Sequence, residues 1–123
     1  INLESKYFKI KNKFLGKLID NSKKIKVDQI KLEDYIKNKN LNNLDLLKVD
    51  TEGSEFEVLK GLGEYLGKFK IILFEHHYDN MIVKGYKFSD IHNLLTSKNY
   101  QNVFKIKMPF RKTFEYIYFR NFN

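Results

Sequence analysis

The segment Leu46 to Gly61, LLKVDTEGSEFEVLKG, constrains the fold more than any other stretch of the chain. Its apolar run is too short for a helix and ends on Asp50 and Glu52. Gly53 supplies the residue type that turns a chain at least steric cost. Beyond it, Ser54 precedes Phe56, Leu59 and Leu62, which are spaced to line one helix face. The segment therefore predicts a buried strand, a tight acidic turn and a helix over Glu55 to Leu62. Ser54 and Glu57 match a capping box, in which a hydroxyl and a carboxylate each satisfy a free backbone N–H. Ligands of open α/β sheets bind just outside the carboxyl ends of the strands. Asp50 and Glu52 thus occupy the place where chemistry is expected.

The rest of the chain extends this unit. Leu32 to Lys39 carries Leu32, Tyr35 and Ile36 on one helical face. NKNLNN, Asn38 to Asn43, reads as a turn leading into a strand over Leu44 to Val49. Gly61, Gly63 and Gly67 break the second helix. KIILF, Lys70 to Phe74, predicts a second buried strand ending on Glu75, His76 and His77. Ser89 is placed to cap a further helix with Ile91, Leu94 and Leu95 inward. Asn102 to Lys107 and Thr113 to Phe119 predict a hairpin around Met108 to Lys112, with the alternation in FEYIYF burying one face. Upstream, Tyr7 to Ile10 and Lys26 to Ile30 are short β-like runs around a lysine-rich loop. The order strand–helix–strand–helix–strand–strand predicts an α/β fold. Two parallel strands joined by a crossover helix, then an antiparallel hairpin at the edge, form the second half of a doubly wound sheet.

Composition narrows the function classes. A chain of 123 residues is one domain at most. The lack of cysteine removes disulfides and thiolate zinc sites, and it fits a reducing, cytoplasmic setting. No apolar run approaches the roughly 20 residues of a membrane span, and no signal-peptide pattern opens the chain. The formal net charge of +8 invites a nucleic-acid reading. Its lysines are scattered, however, the only arginines are Arg111 and Arg120, and alanine is absent. A solvated lysine surface of the kind AT-rich coding produces accounts for the charge, and no specific nucleic-acid partner is expected.

LDLLKVDTEGSEFEVLKG, Leu44 to Gly61, has IKLEDYI (Ile30 to Ile36) before it and IILFEHH (Ile71 to His77) after it. Together these resemble the FkbM-type family of S-adenosylmethionine-dependent methyltransferases. The likeness runs from Val27 onward, about three-quarters of the chain, and the terminal hairpin resembles the closing strands of that fold. It implies a Rossmann-like class I methyltransferase sheet. Residues 27–123 would form its C-terminal half and residues 1–26 a loop or insertion region, all within a single partial domain. The family's glycine-rich cofactor turn, and the acidic residue ending its second strand, have no counterpart before Val27. Gly61-Leu62-Gly63 follows a helix and precedes a strand, the reverse of the order a cofactor loop needs. The chain, which opens on Ile1, is therefore expected to be a fragment completed by the N-terminal half of the same domain. That half would also cover the open edge of the Leu44–Val49 strand.

The resemblance implies methyl transfer from S-adenosylmethionine to a hydroxyl of a small molecule or saccharide. Asp50, Glu52 and Gly53 are the expected cofactor-binding residues. Asp50, Glu75 and His76 are the expected catalytic residues: Asp50 nearest cofactor and acceptor, Glu75 and His76 orienting or deprotonating the hydroxyl. His77, Arg111 and Lys112 are expected to bind substrate, the last two as a cationic clamp. The hairpin turn should share this sheet edge, because its incoming strand runs parallel to the others. Strand alternation lets at most one of His76 and His77 face the site. Plainer readings stand beside these. Asp50 and Glu52 suit a helix N-terminus, and His92 suits a helix surface. No metal site is expected. Two other readings stay open: a non-catalytic binding module or inactive fragment, and a DEDD-type metal-dependent exonuclease, whose Asp-x-Glu strand end VDTEG also resembles.

Overall fold

The structure, a computed structural model, describes residues 25–121; the β-like run expected over Tyr7 to Ile10 lies outside them. In chain order the elements are α1 (Leu32–Asn38), β1 (Leu44–Val49), α2 (Glu55–Gly61), a 3-10 helix (Gly63–Lys68), β2 (Phe69–His77), α3 (Phe88–Ser97), β3 (Tyr100–Lys107) and β4 (Thr113–Arg120). The strands form one mixed sheet in the order β1-β2-β4-β3. β1 and β2 are parallel and joined through α2, while β4 runs antiparallel to both β2 and β3. The expected α/β arrangement of a parallel pair followed by a hairpin is present. The second hairpin strand lies against β2, which leaves β3 on the outside.

Alternation splits the sheet into two unlike faces. Ile72, Phe74 and His76 of β2 are register partners of Tyr118, Tyr116 and Phe114 of β4, and all turn toward the helices. Phe74 stacks on Tyr116 and Tyr118 at 5.5 and 5.7 Å between ring centroids. Leu59 of α2 and Ile91 and Leu95 of α3 are fully buried over this layer. The other face carries Leu46, Ile71, Leu73, Phe104, Ile117 and Phe119. Among the described residues little covers it: Leu46 and Phe104 are 54% and 63% exposed. One side of the sheet is a closed core and the other an apolar surface. Among the described residues β1 is an edge strand of this sheet, since it pairs with β2 on one side and with no described strand on the other.

Several local expectations change. Lys26 to Ile30 is not a strand: among the described residues no strand lies alongside to pair with it, and Ile25, Val27 and Ile30 are exposed. Ser54 makes no capping bond to α2. Glu55 turns back instead, and its carboxylate accepts from the backbone N–H of Thr51 and Gly53 and from the Thr51 hydroxyl. A carboxylate is the stronger acceptor for these donors. α3 begins at Phe88, ahead of Ser89, and the Asp90 carboxylate accepts the Lys87 N–H at 2.7 Å. The glycine-rich stretch after α2 tightens into the 3-10 helix. Tyr100 closes its end by donating to the carbonyls of Leu66 and Phe69 at 2.7 and 2.6 Å.

Candidate functional site

β1 and β2 end side by side. Val49 pairs with Phe74, so Asp50 and Glu75 each follow a paired position, and Glu75 is itself the partner of Glu115 on β4. Three carboxylates thus cross three strands in one row at the carboxyl edge of the parallel pair. Like charges directly opposite destabilise a sheet, so folding alone does not explain this row. Lys48 offsets part of the repulsion, its Nζ 3.5 Å from Asp50. Burial raises the Glu75 carboxyl above the ordinary carboxylate range. The His77 imidazole opposes that shift, while the nearby charges of Asp50 and Glu52 add to it.

His77 is buried on the same side of β2 as Glu75, two residues along the strand. Its Nε2 lies 3.4 Å from Glu75 Oε2. Its Nδ1 lies 2.9 Å from the Oγ1 of Thr113, its register partner on β4. His76 is on the other face, only 2% exposed among Tyr78, Tyr86 and Phe88, with ring centroids 4.7, 5.7 and 5.7 Å away. Burial, helped by the positive charge of Lys84, holds its pKa down at about 4. Its Nδ1 has no hydrogen-bond partner among the described residues. Of the two histidines, the structure therefore brings His77 to Glu75 and places His76 in the helix-side aromatic core.

The acidic turn is shaped by its own backbone. Glu52 is exposed with φ of 54°, and Gly53 follows at φ of 110°. A Cβ on Gly53 would fall 2.6 Å from the carbonyl oxygen of Val83 and 2.8 Å from Ile82 Cγ2. The turn is thus pressed against the loop between β2 and α3. Tyr86 of that loop donates its hydroxyl to buried Glu55. Burial acts most strongly against ionisation of Glu55. The bonds from Tyr86, Gly53 and Thr51, with its own backbone N–H, outweigh burial and hold the carboxyl below the ordinary range.

The hairpin turn lies at the same edge, because Tyr78 N–H donates to Lys112 carbonyl at 2.8 Å and Thr113 pairs with His77. Arg111 and Lys112 are exposed there. His92 bonds Tyr118 at 2.8 Å and stacks on Phe88, as a structural residue does. Among the described residues no three His, Asp or Glu side chains are grouped to hold a metal ion. No described helix is long and apolar enough to cross a membrane.

A model of the methyltransferase FkbM domain matches residues 4–102. The chain belongs to the FkbM methyltransferase family. No curated protein and no solved structure gives a significant match. The matched part of this FkbM domain begins ahead of Val27 and ends within β3, so β4 lies past it. The partner of Thr113 is therefore set only by the sheet. The alternation in FEYIYF sets Glu115 opposite the tyrosine face, which is a usable signal. Nothing local marks Thr113, Glu55 or Tyr86, since their partners are distant or their burial is tertiary.

Proposed function

We propose that this FkbM domain takes part in S-adenosylmethionine-dependent methylation of a hydroxyl on a small molecule or saccharide, as the C-terminal half of a Rossmann-like methyltransferase sheet. The observation that carries the reading is the convergence of Asp50 with Glu75 and His77 at the carboxyl ends of two parallel strands. This is where open α/β sheets bind ligands. The fit to the cofactor is chemical: Asp50 and Glu52 are exposed carboxylates beside a glycine turn, suited to the cationic sulfonium and amino groups. When bound, S-adenosylmethionine supplies the methyl group as an electrophile whose carbon–sulfur bonding electrons remain on sulfur. Asp50 and Glu52 would hold its charged end, with Gly53 fixing the turn. Glu75 takes the hydroxyl proton as the acceptor oxygen attacks, and its raised pKa suits a base. His77 orients Glu75 rather than acting alone. Arg111 and Lys112 face the same edge and would steer an anionic acceptor. The glycine-rich cofactor turn belongs, in this reading, to a first half of the sheet that meets the free edge of β1 and the open apolar face.

Asp50→Asn in the full-length enzyme should abolish transfer of radiolabelled methyl while the circular dichroism spectrum and melting temperature stay unchanged. Wild-type rates in that variant would remove the assignment.

A second reading, a binding module without catalysis, is favoured by one observation. Among the described residues no strand leads through a glycine-rich turn into a helix: β1 reaches α2 through Gly53 alone, while Gly61 ends α2 and Gly63 opens the 3-10 helix before β2. Failure of S-adenosylhomocysteine to bind the full-length protein, by calorimetry, would support it. The exonuclease reading loses ground, because β1 is followed by a helix and a parallel neighbour instead of an antiparallel one.

A further inference from the structure

We propose that Thr113 is a positioning residue: its hydroxyl donates to His77 Nδ1 and so holds the imidazole in the Nε2–H tautomer, directing that N–H at Glu75. The proposal rests on the reading of Glu75 as the proton-accepting group.

Four observations carry it. Thr113 and His77 are register partners on adjacent antiparallel strands, so backbone hydrogen bonding sets their separation. Thr113 is fully buried and His77 is 7% exposed, which limits water as a competing partner. The Oγ1–Nδ1 distance is 2.9 Å, and Nε2 is 3.4 Å from Glu75 Oε2. Glu75 and His77 share one side of β2, so the three groups form a line across the end of the sheet.

The proton assignment follows from donor and acceptor counting. An ionised carboxylate only accepts, so the nitrogen facing Glu75 must be the protonated one. In the neutral imidazole the other nitrogen is then a lone pair that needs a donor. Thr113 is the hydroxyl within reach of it. A histidine's tautomer is set by the hydrogen bond its other nitrogen makes. Glu75 would otherwise be free to rotate among the like charges of Asp50, Glu52 and its partner Glu115. The line Thr113–His77–Glu75 keeps one carboxylate oxygen occupied and leaves the second for a substrate hydroxyl.

Nitrogen-15 NMR of the imidazole rings in the wild-type chain gives the first test. In its neutral form His77 should show an unprotonated Nδ1 and a protonated Nε2; the Nδ1–H tautomer would overturn the proposal. Thr113→Val removes the hydroxyl at constant shape and should shift both His77 nitrogens. Thr113→Ser should restore them. In the full-length enzyme Thr113→Val should lower kcat about tenfold, a factor within the range of general-base assistance, with acceptor KM unchanged and activity recovered by Thr113→Ser. Equal kcat in Thr113→Val and wild type would overturn the role. If the full-length enzyme transfers no methyl group, the functional reading fails by itself, and the nitrogen spectra still decide the Thr113 assignment.

Discussion

Gly53 packs so close to the carbonyl oxygen of Val83, thirty residues further along the chain, that a Cβ in its place would fall inside van der Waals contact with it. This contact joins the acidic turn after β1 to the loop after β2. Gly53→Ala would bring a Cβ to 2.6 Å from that oxygen while holding φ at 110°. Left-handed backbone costs about 1–2 kcal/mol and overpacking about 1–3 kcal/mol. Chemical unfolding of Gly53→Ala should therefore show a loss of about 2–5 kcal/mol. A loss below about 0.5 kcal/mol, the size of an ordinary surface substitution, would show that the turn relaxes freely.

Glu55 should make stability sensitive to acid. Its folded pKa lies below the ordinary value of 4.5. Its contribution is therefore complete above that value and is lost as pH falls through the lower folded pKa. Tyr86→Phe removes one donor, should cost about 1–2 kcal/mol, and should move the acid-unfolding midpoint to higher pH. Glu55→Gln should flatten the acid limb. An unchanged limb in Glu55→Gln would assign acid unfolding to other carboxyls.

His76 titrates in a separate window. Its pKa of about 4 in the fold is below the ordinary 6.5. Between those values the unfolded chain binds a proton that the folded chain refuses, so stability falls as pH falls from 6.5 to 4. The slope from one such group is at most about 1.4 kcal/mol per pH unit. His76→Phe should remove it, which urea unfolding at pH 7 and pH 5 would measure. A slope that persists in His76→Phe belongs to a different group.

The two faces of the sheet should respond differently to truncation. Phe74 is fully buried between β4 and α3, and Phe74→Ala should cost about 3–5 kcal/mol. Phe104 lies on the open face, and Phe104→Thr should change stability by no more than about 0.5 kcal/mol. Equal losses at both positions would mean that the open face is covered in solution.

From Leu32 onward the sequence by itself determined the linear order of the α-helices and strands. Short-range pattern is enough for that: LLKV is an apolar run bounded by turns, FEYIYF alternates, and Phe56, Leu59 and Leu62 recur at helical spacing. It also determined that acidic groups end β1 and β2, because a strand's last residues sit at its sheet edge whatever the register. Helix caps were less legible. Ser54 matched the capping pattern, yet Glu55 took the turn's N–H groups because Tyr86, distant in sequence, folds over it.

Tertiary structure alone decided which groups share the site. His76 and His77 are adjacent and chemically identical, and alternation says only that they point apart. The pairing of β2 with β4 and the helices packed on one face send His76 into the aromatic core and His77 toward Glu75. The same pairing delivers Thr113 and Glu115 from the end of the chain. Register is a long-range property, set by which face buries more apolar surface, and no local pattern encodes the partner it selects.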